Sequence, residues 1–326
     1  MSFVALYGRC KSTPDNEIED NMDSVYLFSV NPDTPPIQTI NPGEEVSLVV
    51  RGAFADVEDI SAIPTPFTPA CDGHPLAPVA GPIAIKGAEP GDAVLIDIIE
   101  MQLQGDGITA IVRDFGVLRE EFSEPKILHC PVRDGKAWFA DRIALPLNPN
   151  LGTISTMPPE GYKPSYAGPY GGDFDQKDAG VGSRVHLPVM TSGAMVFFAD
   201  PHAAISDGIV SGTGIECSAN MRARISLVKN HKVEHPIIEY AGTIQFVGTG
   251  PSVEAATESA TEHAVGYVTA GTDLDREAAY MLLSIVGDLR IGTSPRPVMA
   301  ARVIVPRKTL TESGWAGPIL SDSDAS

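Results

Sequence analysis

Short apolar segments, each bounded by glycine, proline or aspartate, recur along the chain and limit the folds that it can adopt. In residues 221–227, Met221, Ala223, Ile225 and Leu227 alternate with polar side chains. Other such runs occupy residues 45–50, 93–99, 194–198 and 298–305. A period of two is typical of β-strands that bury one face. The sequence therefore predicts a mainly β fold.

Two segments near the C-terminus predict helices instead. Residues 253–269 are rich in alanine and glutamate. Residues 273–288 carry apolar side chains at helical spacing, namely Leu274, Ala278, Met281, Leu282 and Ile285. Thr272 and Asp275 suggest a capping box at the start of this helix. Because strands come first and helices later, we expect a β-sandwich, jelly-roll-like core with a smaller α+β portion in the C-terminal third.

The chain shows neither an internal repeat nor a linker of biased composition. We therefore expect a single unit over residues 1–326, in which 1–227 are mainly β, 228–306 hold strands plus two helices and 307–326 form a tail. Residues 148–178 are rich in glycine, proline and tyrosine, and we interpret them as one long loop. Loops of that length are often functional.

Charge and composition exclude several classes of function. The chain has 23 Lys and Arg against 42 Asp and Glu, a net charge of −19, which argues against binding to nucleic acid or to an anionic membrane. Its four cysteines form no Cys-x-x-Cys pair, so we expect reduced thiols. Neither a signal peptide nor an apolar stretch of membrane-spanning length is apparent. These features predict a soluble, cytoplasmic protein.

Acidic residues and a histidine stand near glycine-rich turns in the middle of the chain. They are Asp175, Asp200, His202, Asp207 and Glu216. Asp200 and His202, two residues apart on a predicted turn, can face one ion, and carboxylate with imidazole suits zinc, manganese or another divalent cation. The competing interpretation is structural, since aspartates in such turns commonly accept hydrogen bonds from backbone amides.

Six blocks of sequence carry a more specific signal. They are Asn-Pro-Gly-Glu-Glu-Val at 41–46, Gly-Pro-Ile-Ala-Ile-Lys-Gly-Ala-Glu-Pro-Gly-Asp at 81–92, Gly-Gly-Asp-Phe-Asp at 171–175, Leu-Pro-Val at 187–189, Asp-Pro-His-Ala-Ala at 200–204 and Ala-Tyr-Met-Leu-Leu-Ser at 279–284. In sequence and in order, these blocks resemble the acetamidase/formamidase family.

The resemblance implies a mainly β fold, hydrolysis of short amides such as formamide or acetamide, and a divalent metal near the His-Ala-Ala motif. We therefore expect a metal-dependent amidohydrolase that releases ammonia or an amine from a small linear amide by attack of an activated water. Zinc is the expected metal, with calcium, magnesium and manganese as alternatives. The expected partners are the amide and a second copy of the chain in a homodimer.

In the family blocks, acidic or histidine positions are matched by Asp175, Asp200, His202, Asp207 and Glu216. The roles of the site residues are our inference from their chemistry. We assign Asp175, Asp200, His202 and Asp207 to the metal, and Asp173, Glu216 and His74 to catalysis. His74, in Cys-Asp-Gly-His just before the block at 81–92, either lines the site or belongs to a surface loop.

The chain also departs from the family pattern. Tyr170 replaces a histidine, Asp173 an asparagine, Ile205 and Ser206 a Gln-Gly pair, and Ile209 a glutamate. The loss at Ile209 leaves three alternatives open: a hydrolase whose lost acid is compensated by Asp173, a hydrolase of a cyclic amide or related compound, and a small-ligand-binding homologue without catalysis.

Overall fold

The computed structural model describes residues 27–71, 74 and 76–314. Its strands are β1 (Gln38–Ile40), β2 (Glu44–Val50), β3 (Ala80–Ile85), β4 (Ala93–Leu103), β5 (Gly107–Ile111), β6 (Lys126–Cys130), β7 (Val132–Arg133), β8 (Lys136–Phe139), β9 (Ile143–Pro146), β10 (Asn150–Ser155), β11 (Gly171–Asp173), β12 (Arg184–Pro188), β13 (Val196–Ala204), β14 (Ile215–Glu216), β15 (Ala219–Val228), β16 (Ile237–Tyr240), β17 (Thr243–Gly250), β18 (Asp288–Thr293) and β19 (Met299–Pro306). Its helices are α1 (Val253–Gly271), α2 (Arg276–Val286) and α3 (Arg307–Glu312), with short 3-10 turns at Ile60–Ala62 and Pro69–Cys71.

The strands form two eight-stranded sheets and one small three-stranded sheet. The first large sheet runs β1-β3-β13-β14-β5-β6. In addition, β10 pairs with β13, and β11 pairs with β10. The second runs β18-β19-β17-β16-β12-β4-β15-β2. Strands β7, β8 and β9 make the small sheet.

One buried apolar cluster joins the two large sheets. It combines residues of β3, β10 and β13, such as Ile83, Ile154 and Phe198, with residues of the second sheet, such as Ile96 and Ile225. The sheets therefore pack face to face around a common core, as in a sandwich. The prediction of a mainly β fold is confirmed, and each of the five alternating runs overlaps a strand, namely β2, β4, β13, β15 or β19.

The helices α1 and α2 pack against one end of the second sheet. They confirm the two helices that we predicted in the C-terminal third. Helix α1 buries Ala256, Ala260 and Ala264, one residue per turn, against β17. A Cβ atom on Gly248 of β17 would overlap the backbone of Ala260. Small residues on both elements thus let the helix approach the sheet closely.

The start of α2 differs from the prediction of a capping box at Thr272 and Asp275. Asp275 is the N-cap, and its carboxylate accepts a hydrogen bond from the backbone N–H of Ala278 at 2.8 Å. Thr272 instead closes α1, where its hydroxyl donates to the carbonyl of Val268 at 2.9 Å. The predicted role of Thr272 was therefore wrong, because α2 begins at Arg276 and Thr272 lies three residues before its N-cap.

The segment 148–178 is not one long loop, since it contains strands β10 and β11. All six residues of β10 are buried, so no polar face produces the alternation on which strand prediction depends.

At the other end of the chain, α3 lies where we expected a tail, while residues 315–326 lie outside the described residues. No helix among the described residues is long and apolar enough to span a membrane. The organisation as a single unit stays a prediction.

Candidate active site

Three neighbouring strands align a polar row across the first sheet. In the antiparallel register, Asn150 of β10 lies opposite His202 of β13, and His202 lies opposite Glu216 of β14. Directly paired residues hold their Cβ atoms about 5 Å apart, so the three side chains are neighbours. Asp200 precedes His202 by two residues and shares its face of the strand. We had placed Asp200 and His202 on a turn; they lie within β13 instead.

Asn150 fixes the imidazole ring of His202. The side-chain amide of Asn150 donates to the carbonyl of Asn148 at 2.7 Å, which leaves its Oδ1 atom as the acceptor for Nδ1 of His202 at 3.1 Å. The Nδ1–H group therefore donates, and in the neutral ring Nε2 carries the lone pair. Nε2 lies 3.3 Å from Glu216 Oε2 and 3.5 Å from Asp200 Oδ2, yet makes no hydrogen bond with any described residue.

Arg296, in the loop between β18 and β19, holds two further carboxylates. Its Nη1 lies 2.9 Å from Asp173 Oδ2, and its Nη2 and Nε lie 2.7 Å and 2.8 Å from Asp175 Oδ2. The second oxygen of each carboxylate, Oδ1, has no hydrogen-bond partner among the described residues. One guanidinium thus orients two buried carboxylates while leaving one oxygen of each available.

Asp175, Asp200 and His202 bring their ligand atoms within 4.8 Å of one another. Gly152 of β10 lies behind them: a Cβ atom there would stand 2.5 Å from Asp200 Oδ2 and 2.7 Å from Asp175 Oδ1. Glycine is therefore required for these oxygens to occupy this space. Two carboxylates and an imidazole that turns its Nε2 atom towards them are a donor set that fits a divalent cation, which would replace the proton on that nitrogen.

We call Asp173, Asp175, Asp200, His202 and Glu216 the carboxylate–histidine cluster. Its electrostatics also favour a bound cation. Burial raises the pKa of Asp173 to about 8, against the opposing effect of Arg296, and burial together with Glu216 raises the pKa of Asp200. Burial lowers the pKa of His202, but Glu216 and Asp200 raise it more, to about 10. Burial also opposes ionisation of Glu216, but His202 lowers its pKa overall. The cluster carries excess negative charge that either protons or a cation must balance.

The backbone at two of these aspartates is unusual. Asp175 has φ +45° and Asp200 has φ +58°, in the left-handed region that residues other than glycine rarely occupy. Such conformations cost of order 1–3 kcal/mol each and tend to occur at functional sites.

A cavity of about 530 Å³ opens above the cluster. Its polar end is lined by Thr153, Asp173, Asp200, Glu216 and Arg296. His74, which we had assigned either to the site or to a surface loop, also lines this cavity.

Asp207 is not brought into the cluster. Its Oδ2 atom lies 2.8 Å from Lys177 Nζ, and its Oδ1 atom lies 2.6 Å from the buried guanidinium of Arg302. Burial would raise the pKa of Asp207, but Arg302 and Lys177 hold it below its usual value. Because the side chains of Lys177 and Arg302 already pair with both carboxylate oxygens, Asp207 belongs to a separate ion-pair network.

The departures from the family pattern leave the cluster intact. The hydroxyl of Tyr170 donates to the carbonyl of Lys163 at 2.8 Å. Ile209 is buried but is not among the described residues that line the cavity. Asp173 adds a carboxylate that Arg296 pairs.

Sequence reasoning missed Asn150, Gly152 and Arg296. Asn150 and Gly152 belong to the strand that we took for a loop. For Arg296 the sequence offered one signal, an arginine between two prolines in Ser-Pro-Arg-Pro at 294–297.

Comparison with known proteins identifies the family. The model of the acetamidase/formamidase family matches residues 16–160 and 159–309. An acetamidase from Yersinia enterocolitica is 30% identical, with a TM-score of 0.80 over 87% of this chain and 89% of that chain. A predicted acetamidase/formamidase from Thermoanaerobacter tengcongensis is 25% identical, with a TM-score of 0.82 over 89% of this chain and 95% of that chain.

An acetamidase from Bacillus halodurans is 26% identical, with a TM-score of 0.81 over 89% of this chain and 97% of that chain. No curated protein matches the chain. The family match extends over nearly all the described residues, and the solved relatives share the fold over 87–89% of this chain. The chain therefore belongs to the acetamidase/formamidase family of hydrolases, which act on carbon–nitrogen bonds other than peptide bonds.

Proposed function

We propose that this chain is a zinc-dependent amidohydrolase that releases ammonia from a linear amide. The observation that carries the proposal is a set of buried polar atoms without hydrogen-bond partners among the described residues. They are Asp173 Oδ1, Asp175 Oδ1, His202 Nε2 and Glu216 Oε2. Leaving such atoms unpaired costs about 1–3 kcal/mol each, and more where a charge is involved, so a bound cation and substrate account for them.

In this proposal Asp175, Asp200 and His202 hold the metal. Zinc is the best match because it accepts imidazole nitrogen together with carboxylate oxygen, whereas calcium and magnesium prefer oxygen alone. When bound, such a cation polarises the amide carbonyl and lowers the pKa of a water molecule. Asn150 keeps Nε2 of His202 free for this role, and Gly152 keeps the space open.

Glu216 is our candidate general base. Its Oε1 atom accepts a hydrogen bond from the backbone N–H of Gly214 at 2.7 Å, while Oε2 has no such partner among the described residues. The residue also lines the cavity. A carboxylate with one fixed and one available oxygen is suited to take the proton of an attacking water.

Asp173 is our candidate for contact with the amide nitrogen. Arg296 fixes its Oδ2 atom, and Oδ1 is available at the polar end of the cavity. From there the protonated carboxyl of Asp173 would donate its proton to the leaving nitrogen as the C–N bond breaks, so that the nitrogen departs as ammonia, and the proton that Glu216 takes from water would restore Asp173. The catalytic role of His74 stays a prediction that its position in the cavity wall supports. These acids favour an enzyme over the alternative of a non-catalytic binding protein, which rested on Ile209.

Two variants separate metal binding from proton transfer. Glu216→Gln should retain metal and lose about 10²-fold or more in kcat, because only the base is removed. His202→Ala should lose both metal and activity. His129→Ala, on the exposed side of β6, is the matched control and should change neither. Ammonia release and metal content by mass spectrometry are the measurements, and full activity in Glu216→Gln would contradict the role of Glu216.

A further inference from the structure

The cavity is much larger than formamide or acetamide requires. Its volume of about 530 Å³ falls within the range of roughly 300–1,000 Å³ typical of sites that enclose drug-sized ligands. A water molecule takes about 30 Å³ of liquid volume, and these two amides are only a few atoms larger. Either of them would leave most of the cavity filled with water.

Two apolar clusters contribute most of the apolar wall of this space. One contains Phe54, Ile63 and Phe115, and the other contains Val79 and Phe197. Water against such walls is unfavourable, since burying apolar surface contributes in proportion to the area removed from water. The walls therefore favour an occupant with an apolar body.

An aromatic group continues the wall down to the carboxylates. The ring of Phe67 packs edge-on against Tyr166 at 5.4 Å and lies 5.9 Å from the ring of Phe115. The hydroxyl of Tyr166 donates to the carbonyl of Phe67 at 3.1 Å, which fixes the pair. The guanidinium of Arg296 lies 5.0 Å from the centre of the Phe67 ring. The apolar wall thus begins beside the group that orients Asp173.

We propose that the preferred substrate is a primary amide with a bulky apolar acyl group, aromatic or branched aliphatic, and not formamide or acetamide. The polar end of the cavity takes the amide group, and the apolar walls take the acyl group. This inference rests on the proposed amide hydrolysis and names the substrate class of the same site.

A series of primary amides tests the inference on the wild-type enzyme. From acetamide to butanamide, kcat/KM should rise about fourfold for each added methylene, roughly 16-fold in all, and phenylacetamide should exceed acetamide by at least that factor. If kcat/KM for acetamide equals that for butanamide and phenylacetamide, the proposed substrate class is wrong, while the proposed amide hydrolysis still stands. An enzyme that releases ammonia from none of them would overturn the proposed function itself.

A pair of tryptophan variants tests the cavity directly. Ala53 lines the cavity, whereas Ala55 is exposed two residues further along the same loop. Ala53→Trp fills apolar space, so the ratio of kcat/KM for phenylacetamide to that for acetamide should fall at least about tenfold. Ala55→Trp should leave this ratio at its wild-type value. An unchanged ratio in a folded Ala53→Trp enzyme would contradict the inference, and if that variant does not fold, the amide series alone decides.

Discussion

At the scale of single residues, the candidate site contains side chains that we had proposed from the sequence and others that we had not. Asp175, Asp200, His202 and Glu216 were predicted, because carboxylate and imidazole near a family motif indicate metal chemistry. Arg296 was not, since 121 residues separate it from Asp175 and only the folded chain brings them together. Asp207 has the right chemistry for a ligand, but Lys177 and Arg302 neutralise it.

Gly152 is the most restrictive of the residues that the sequence did not reveal. In Gly152→Ala the added Cβ would stand within 2.5–2.9 Å of Asp200, Asp175 and His202. We expect this variant to lose bound metal although every proposed ligand is still present. Metal content of the purified protein is the measurement.

The matched control for Gly152→Ala is Gly266→Ala in α1, where a Cβ would meet nothing within 4 Å. It should retain metal and gain about 0.5–1 kcal/mol of stability, because alanine favours a helix over glycine. Full metal content in folded Gly152→Ala would contradict the expectation that a Cβ at this position displaces the ligand atoms and prevents metal binding.

At the scale of elements, prediction succeeded where one face of a strand or helix is exposed. Strand β15 alternates because one of its faces carries Arg222 and Arg224 to the surface, where both pair with Glu45. Strand β10 is buried on both faces, and its sequence resembles that of a loop. The strand that builds much of the site was therefore the one that periodicity could not detect.

Helix α1 carries a histidine that should make stability depend on pH. His263 is partly buried between Phe246, Tyr267 and His235, and its Nδ1 lies 3.2 Å from the carbonyl oxygen of Val247. Burial, reinforced by His235, lowers its pKa from 6.5 to about 4. The folded state therefore holds the neutral ring, whereas the unfolded chain takes up a proton below pH 6.5.

The stability that neutral His263 contributes is present above pH 6.5 and is lost as the pH falls towards about 4. Over this range the free energy of unfolding of the wild type should fall by up to about 3 kcal/mol more than that of His263→Leu. Urea denaturation of both proteins at pH 7 and pH 4.5 measures the difference. Parallel loss of stability in the two proteins would show that His263 is not responsible.

At the scale of the whole molecule, the acidic composition and the β-sandwich were both accessible from sequence, whereas the assembly was not. Homodimer formation and a cytoplasmic location stay predictions. The exposed side chains of α2 favour association, since Met281 is 61% exposed and Ile285 is 80% exposed in one chain. Sedimentation at micromolar concentration should give about twice 34.5 kDa. A single species at 34.5 kDa would end this prediction.

The central claim is that the carboxylate–histidine cluster hydrolyses amides with the help of a bound divalent cation. The most direct test measures ammonia release from butanamide by wild-type protein as purified, after removal of metal by a chelator, and after addition of zinc. We predict activity in the first sample, its loss with the metal, and its recovery with about one zinc ion per chain. Undiminished hydrolysis by protein shown to be free of metal would contradict the account.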